Sequence, residues 1–301
     1  MKKRNILLSF SIVLILFSCS SDDDSGSSNT AQNLVSVTKD YYTNNSQTAS
    51  TKFNFYNDKL INIQYSDNSY DDIYYEAGLI SRILEFNANN EWIWTTVYTY
   101  DSSNRLTRKN VIPSPNNPIT DVSRQKQILY NGNLIQSENS WSDGGFHKNT
   151  ITLNSEDFII EDNQFSINNE LVAQRNFEYV DNNLSRQTIK DRNGNLTYEE
   201  TYNYTDKSGS EPYNYSKYLF GSQWKNNSSL NKQFGLGQIT PYEVSGNYIS
   251  DYYTRSLSTN TSKTGTFNYK FNSNKNIIKQ TENINLSTGE VYKIITTYEY
   301  Q

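Results

Sequence analysis

At 301 residues with a net charge of −5, the chain is long enough for a sizeable domain but carries one histidine and one cysteine. That scarcity excludes a His-based metal site and any internal disulfide. The mild acidity, which deepens once the basic residues at positions 2–4 are removed, argues against a nucleic-acid binder, because such proteins meet phosphates with a clustered basic patch.

Lys2-Lys3-Arg4 precedes a short apolar run from Ile6 to Phe17, the layout of a secretory signal over residues 1–18. The run is shorter than the roughly 20 residues a spanning helix needs. It ends in Leu16-Phe17-Ser18-Cys19, which resembles the lipobox of bacterial lipoproteins, so cleavage before Cys19 and acylation of its thiol are expected. Residues 19–32 form a Ser- and Asp-rich stretch with nothing apolar to bury, and read as a solvated tether. Its Asp22-Asp23-Asp24 triplet resembles an export signal to the outer face of the outer membrane.

From residue 33 to 301 a single β-repeat domain is expected. Aliphatic residues are few, but 25 Tyr and 4 Trp supply rings that suit strands. One pattern recurs: alternating aromatic residues, a turn rich in Asn, Asp or Gly, then Leu or Ile opening a second run. It appears at Phe53–Ile61, Tyr74–Ile80, Val97–Leu106, Ile128–Leu134, Phe177–Leu184 and Phe267–Ile277. Each copy predicts a β-hairpin, because such turns need positive φ, which Gly and Asn tolerate. Alternation puts Trp92, Trp94, Thr96, Tyr98 and Tyr100 on one strand face. Two stretches break the rhythm, the loop Pro113–Pro118 and an irregular insertion at about 206–262 with room for a short helix.

Tyr100-Asp101-x-x-Asn104-Arg105-Leu106-Thr107 resembles the YD repeat of Rhs-type shell proteins, with Asn104 where those repeats usually carry Gly. From Cys19 onward the arrangement is similar to the YD-repeat-like lipoproteins of the Bacteroidetes type. That resemblance implies an all-β fold and no assigned function; the hairpin repeats and their alternation themselves read as an antiparallel meander forming a curled open sheet or half-barrel, porin-like or YD-repeat-like in character.

His147 follows Asp143-Gly144-Gly145 and reads as a solvated turn residue. Of the neighbouring carboxylates, Asp71 with Asp72, Glu156 with Asp157, Glu161 with Asp162 and Glu199 with Glu200, no pair shares a site by adjacency, since successive strand residues point to opposite faces. Asp191-x-Asn193-Gly194-Asn195 offers oxygen ligands, yet its glycine is misplaced for a calcium loop, so a hairpin turn is expected. Gly235-Leu236-Gly237 lacks the rest of a phosphate-cradling loop. No cofactor or metal is expected. Trp92, Trp94, Trp141 and Trp224 remain as candidate ligand-binding rings, which points to a non-catalytic binding or scaffold module for a glycan or a protein, anchored through Cys19 and facing the cell exterior. The alternatives are a glycoside hydrolase using two carboxylates brought together by the fold, and a closed barrel, either a periplasmic carrier of a lipid or other ligand or embedded in the membrane. Partly polar residues on both strand faces oppose the embedded form.

Overall fold

The structure, a computed structural model, describes residues 33–115, 124–141, 146–208 and 247–301. The leader, Cys19, the tether, Trp224 and Gly235-Leu236-Gly237 lie outside the described residues. The chain runs through β1 (Leu34–Thr43), β2 (Ser46–Tyr56), β3 (Lys59–Tyr65), β4 (Tyr70–Glu76), β5 (Leu79–Phe86) and β6 (Trp92–Tyr100). It continues through β7 (Leu106–Pro113), β8 (Arg124–Asn131), β9 (Leu134–Trp141), β10 (Phe146–Leu153), β11 (Ile159–Phe165) and β12 (Leu171–Val180). The last six are β13 (Asn183–Asp191), β14 (Leu196–Ser208), β15 (Asn247–Ser256), β16 (Thr261–Phe271), β17 (Ile277–Leu286) and β18 (Val291–Tyr300). The hairpin rhythm thus resumes at Asn247, inside the stretch read as irregular; the short helix expected there would fall outside the described residues.

Every strand pairs antiparallel with the next. The ring then closes. β1 also pairs with β18, with Thr38 opposite Thr297 and Tyr42 opposite Lys293, and Asn33 and Gln301 exchange backbone hydrogen bonds of 2.9 and 3.0 Å. The expected open sheet or half-barrel is therefore corrected to a closed 18-stranded barrel. The physical reason is edge pairing: an open meander would leave β1 and β18 each with a row of unpaired N–H and C=O groups, and joining them removes both edges.

Local chemistry explains the hairpins. Asp101 Oδ1 accepts the N–H groups of Ser103 and Arg105, each at 2.9 Å, and Asn154, Asp191 and Asn272 do the same in their own turns. Such a turn needs a left-handed residue at its fourth place, supplied by Asn104 (φ 60) and Gly194 (φ 82). Asp191 is therefore a turn former; the N–H groups it accepts hold its carboxyl below the usual range. Just past several turns the return strand carries one extra residue, Ser81, Thr107 or Ser185. Each hydroxyl donates across the hairpin to a backbone carbonyl, of Tyr74, Thr99 and Glu178 respectively. This bulge steepens the local twist.

At the same end of the barrel the even-numbered strands carry a ladder of tyrosines on the inner wall. The hydroxyls of Tyr75, Tyr100, Tyr130, Tyr179, Tyr204, Tyr269 and Tyr300 donate at 2.7–3.0 Å to the carbonyls of Leu60, Ile80, Leu106, Ile159, Leu184, Ile249 and Ile277. Those Leu and Ile side chains are buried, most of them fully. Each therefore stabilises the wall by about 1.5–3 kcal/mol. The repeated Tyr and Leu or Ile of the sequence are thus two halves of one contact between adjacent hairpins. Tyr100→Phe leaves the Ile80 carbonyl without this donor and is expected to lower stability by about 1–2 kcal/mol, read from the midpoint of urea unfolding. An unchanged midpoint would mean that the ladder does not contribute.

Candidate functional site at the rim and on the inner wall

Of the candidate tryptophans, only Trp92 and Trp94 can be followed in full. Glu85 lies opposite Trp94 and Phe86 opposite Trp92, so Ile93 is an extra residue in β6. That bulge separates the two rings, correcting the reading that placed them on one face. Trp94 joins Thr96, Tyr98 and Tyr100 on the inner wall. Trp92 turns outward, 39% exposed, and its indole N–H donates to the Trp94 carbonyl at 2.9 Å and to Thr95 Oγ1 at 3.0 Å. Trp141 is the last residue of β9; its side chain, like the whole of Trp224, lies outside the described residues.

Trp92 is in register with Phe86, and Phe86 with Tyr70, so three rings form one outward row beside the turns at 66–69 and 87–91. Tyr70 and Phe86 stack with centroids 4.6 Å apart and planes 10° from parallel, and the Tyr70 hydroxyl donates to Asn90 Oδ1. The stack occupies facing surfaces of two rings. Trp92, pinned by its N–H, keeps surface free for contact.

Elsewhere the outer wall mixes charged and apolar side chains. Lys52, Arg108, Glu138, Lys148, Glu178 and Lys279 all point outward by register. Exposed apolar residues such as Ile61, Leu129 and Val180 stand among them.

The inner wall carries a belt of buried charge. Alternation splits the neighbouring carboxylates as expected, with Asp71, Asp162 and Glu200 inside and Asp72, Glu161 and Glu199 outside. What the sequence did not reveal is their partners. Asp71 lies directly opposite Glu85, and Tyr65 donates to Asp71 Oδ2 at 2.7 Å. Asp162, 1% exposed, accepts from Asn149 at 2.8 Å and from Arg175 at 3.0 Å. Glu200 accepts from Tyr198 at 2.5 Å and Tyr202 at 2.6 Å, and Glu282 from Tyr252 at 2.8 Å. Lys109 and Lys126 face each other across β7 and β8.

Burial dominates the acid–base behaviour of this belt. It pushes the Asp71 carboxyl up to about 7 against the opposing hydrogen bond from Tyr65, and it raises Glu85. It pushes Lys109 down to about 8 and Lys126 down to about 7. An Asp whose folded pKa lies above its unfolded value holds its proton in the folded state, so its contribution is most favourable below about pH 4 and is lost as pH rises toward 7. Asp71→Asn is accordingly expected to gain stability over the parent progressively between pH 4 and pH 7, followed by urea unfolding at each pH. A difference independent of pH would contradict the assignment.

His147, read as a turn residue, is instead an exposed residue of β10, with Nδ1 3.4 Å from Gln164 Nε2. Among the described residues, no group of three or more His, Cys, Asp and Glu is placed to hold a metal ion.

No family model and no curated protein matches the chain. Among solved structures it is similar to a porin-like protein from Bacteroides uniformis, at 12% identity and a TM-score of 0.35 over 89% of this chain and 98% of that one. A porin-like protein from Bacteroides vulgatus gives 13% and 0.41 over 90% and 99%, and the Acinetobacter baumannii outer membrane protein Omp33 gives 7% and 0.30 over 90% and 99%. Likenesses this low carry no argument about activity; the architecture rests on the strand register. The expected resemblance to YD-repeat-like lipoproteins is corrected: the likenesses over nearly the full length of both chains are to porin-like proteins, and the hairpins close into a barrel where an open sheet was expected.

Proposed function

We propose that this chain is a non-catalytic binding or scaffold module that stands in water at the outer membrane. Acyl chains on Cys19 hold it there, facing the cell exterior, and the rim row of Tyr70, Phe86 and Trp92 engages a glycan or a protein. The observation that carries the reading is the charge on the outer wall. A barrel embedded in a bilayer needs an outward apolar band about 25 Å tall, and Lys52, Arg108, Glu138, Lys148, Glu178 and Lys279 occupy outward positions where that band would run. A barrel that cannot hold itself in lipid requires a separate anchor, and Cys19 is the residue of this chain suited to one.

A channel is the second reading, favoured by the closed ring and the charged inner wall. The same outward charges oppose it, and stepwise conductance of the full chain in planar bilayers would establish it against our proposal. A two-carboxylate hydrolase has less support, because the inner-wall carboxylates Asp71, Asp162, Glu200 and Glu282 already accept from Tyr65, Arg175 and Asn149, Tyr198 and Tyr202, and Tyr252.

The binding claim is tested by glycan-array and pull-down screens of the parent and Trp92→Ala. Truncating a ring that contacts ligand is expected to cost about 1–3 kcal/mol of affinity, whereas a ring that only packs on Thr95 would lower the melting temperature and leave binding intact. Turnover of an offered glycan, or binding indifferent to Trp92, would overturn the proposal.

A further inference from the structure

The outward row of Tyr70, Phe86 and Trp92 continues past Tyr70. Register carries it to Gln64 in β3, so four side chains stand in line across β3 to β6 on the water-facing side of the wall. Adjacent strands lie about 4.8 Å apart, which makes the row roughly 14 Å long. That length exceeds one sugar ring and matches a short stretch of polymer.

The two ends of the row differ in chemistry. Trp92 is 39% exposed, and its indole N–H is engaged by the Trp94 carbonyl and Thr95 Oγ1, so it presents ring surface outward. Gln64 is exposed, and among the described residues its amide has no partner. In the next outward row, two residues along the strands, Asn62 donates to Asp72 Oδ1 at 2.9 Å and accepts from Asn54 at 3.1 Å. This half-buried ladder runs beside Gln64 and Tyr70 and leaves Asp72 Oδ2 as a further acceptor.

Ring surface beside planar amides and a carboxylate is the chemistry that recognises a neutral sugar, whose C–H face rests on the rings while its hydroxyls meet the polar groups. Charge beside the row favours neither sign: Asp72 lies on the neighbouring row, Lys52 stands opposite Gln64, and Arg82 is set over the Tyr74 ring at 4.5 Å. An extended peptide would add to a sheet edge, and the closed ring of described strands offers none. Asn33, through which the chain enters β1, bonds to Gln301 at the end of the barrel that carries the tyrosine ladder. The row lies at the other end, beside the turns at 66–69 and 87–91, so a long partner can cross it without meeting the entry of the chain.

We propose that the outer face of β3 to β6 binds a neutral polysaccharide along this row, with one sugar residue against Trp92 and another at Gln64. The site rests on the rim-row reading and narrows its ligand to one class.

The test is calorimetric titration of the detergent-solubilised full chain with cellohexaose, mannohexaose, xylohexaose and maltohexaose, each beside its monosaccharide, with an oligogalacturonate of equal length as the acidic control. At least one hexasaccharide should saturate, its monosaccharide should bind about tenfold more weakly or worse, and the oligogalacturonate should not saturate. Trp92→Ala should weaken that hexasaccharide by about tenfold or more, and Gln64→Ala by about threefold or more. Gln64→Ala should keep the melting temperature of the parent, because its side chain is exposed, which separates lost binding from lost folding. Leu129→Ala, which removes an exposed apolar side chain elsewhere on the outer wall, should leave binding unchanged. No saturation by any hexasaccharide at millimolar concentration, a monosaccharide as tight as its hexamer, saturation by the oligogalacturonate, or binding indifferent to Trp92→Ala or to Gln64→Ala would each overturn the proposal. Trp92-dependent capture of a protein with no hexasaccharide bound would overturn it while leaving the rim row a binding site, and no Trp92-dependent binding of either kind would overturn both.

Discussion

Asp162→Ala is expected to destabilise the protein by about 3–5 kcal/mol, the range for breaking a buried ion pair from one side. The carboxylate is 1% exposed and holds both the Arg175 guanidinium, at 3.0 Å, and the Asn149 amide, at 2.8 Å. Removing it leaves a partly buried cation and a buried amide, each short of its carboxylate partner. The loss comes from what is left behind. Replacing both partners, Asp162→Leu with Arg175→Met, should therefore recover much of the stability lost by Asp162→Ala alone. Urea unfolding of the three proteins decides it: a single variant within about 1 kcal/mol of the parent, below the range for a broken buried pair, would show that the belt does not bear on stability.

The second large effect is expected at Gly265. This glycine lies opposite Tyr252, and a Cβ built on it would sit 2.1 Å from Tyr252 Cε1 and 2.4 Å from Cζ. The tyrosine covers the gap left by the glycine, an aromatic rescue across two strands. Tyr252 cannot step aside cheaply, since it is 5% exposed and its hydroxyl donates to Glu282 Oε1. Gly265→Val should therefore expel the ring, leave Glu282 short of a donor, and cost about 2–5 kcal/mol from overpacking and the lost hydrogen bond together. A melting temperature equal to the parent's would show that the ring is not seated there.

What was legible in the sequence is what local chemistry controls. The turn beginning at Asp101 needs an acceptor at its first place and a left-handed residue at its fourth, and Asp101 and Asn104 stand three apart in plain view. The hairpins followed from such turns. The bulges had a signal as well, the Ser or Thr directly after the buried Ile80, Leu106 or Leu184 of a return strand, at Ser81, Thr107 and Ser185, but alternation alone does not register it. Ile93 carries no such mark. It becomes an extra residue only because Glu85 and Phe86 of the preceding strand choose Trp94 and Trp92 as partners, and so the split of the two tryptophans was invisible.

The rest depended on partners remote in sequence. Asp71 meets Glu85 and Arg175 meets Asp162 through strand register, which no single strand encodes. Closure was the most remote feature of all, since it joins Leu34 in β1 to Tyr300 in β18. Nothing in either strand announces the other. Both read as ordinary alternating strands, and only the cost of two unpaired edges brings them together.

The most direct test of the account is membrane partitioning of Cys19→Ala beside the parent, after alkaline carbonate washing of total membranes. Acyl chains contribute roughly 0.8 kcal/mol per buried methylene, whereas the charged outer wall contributes nothing comparable. The account predicts that the parent stays in the pellet and that Cys19→Ala, processed or not, moves to the soluble fraction with its β-rich circular dichroism intact. A folded Cys19→Ala protein that remains in the carbonate-washed membrane would mean that the barrel wall itself sits in lipid, and would contradict the account.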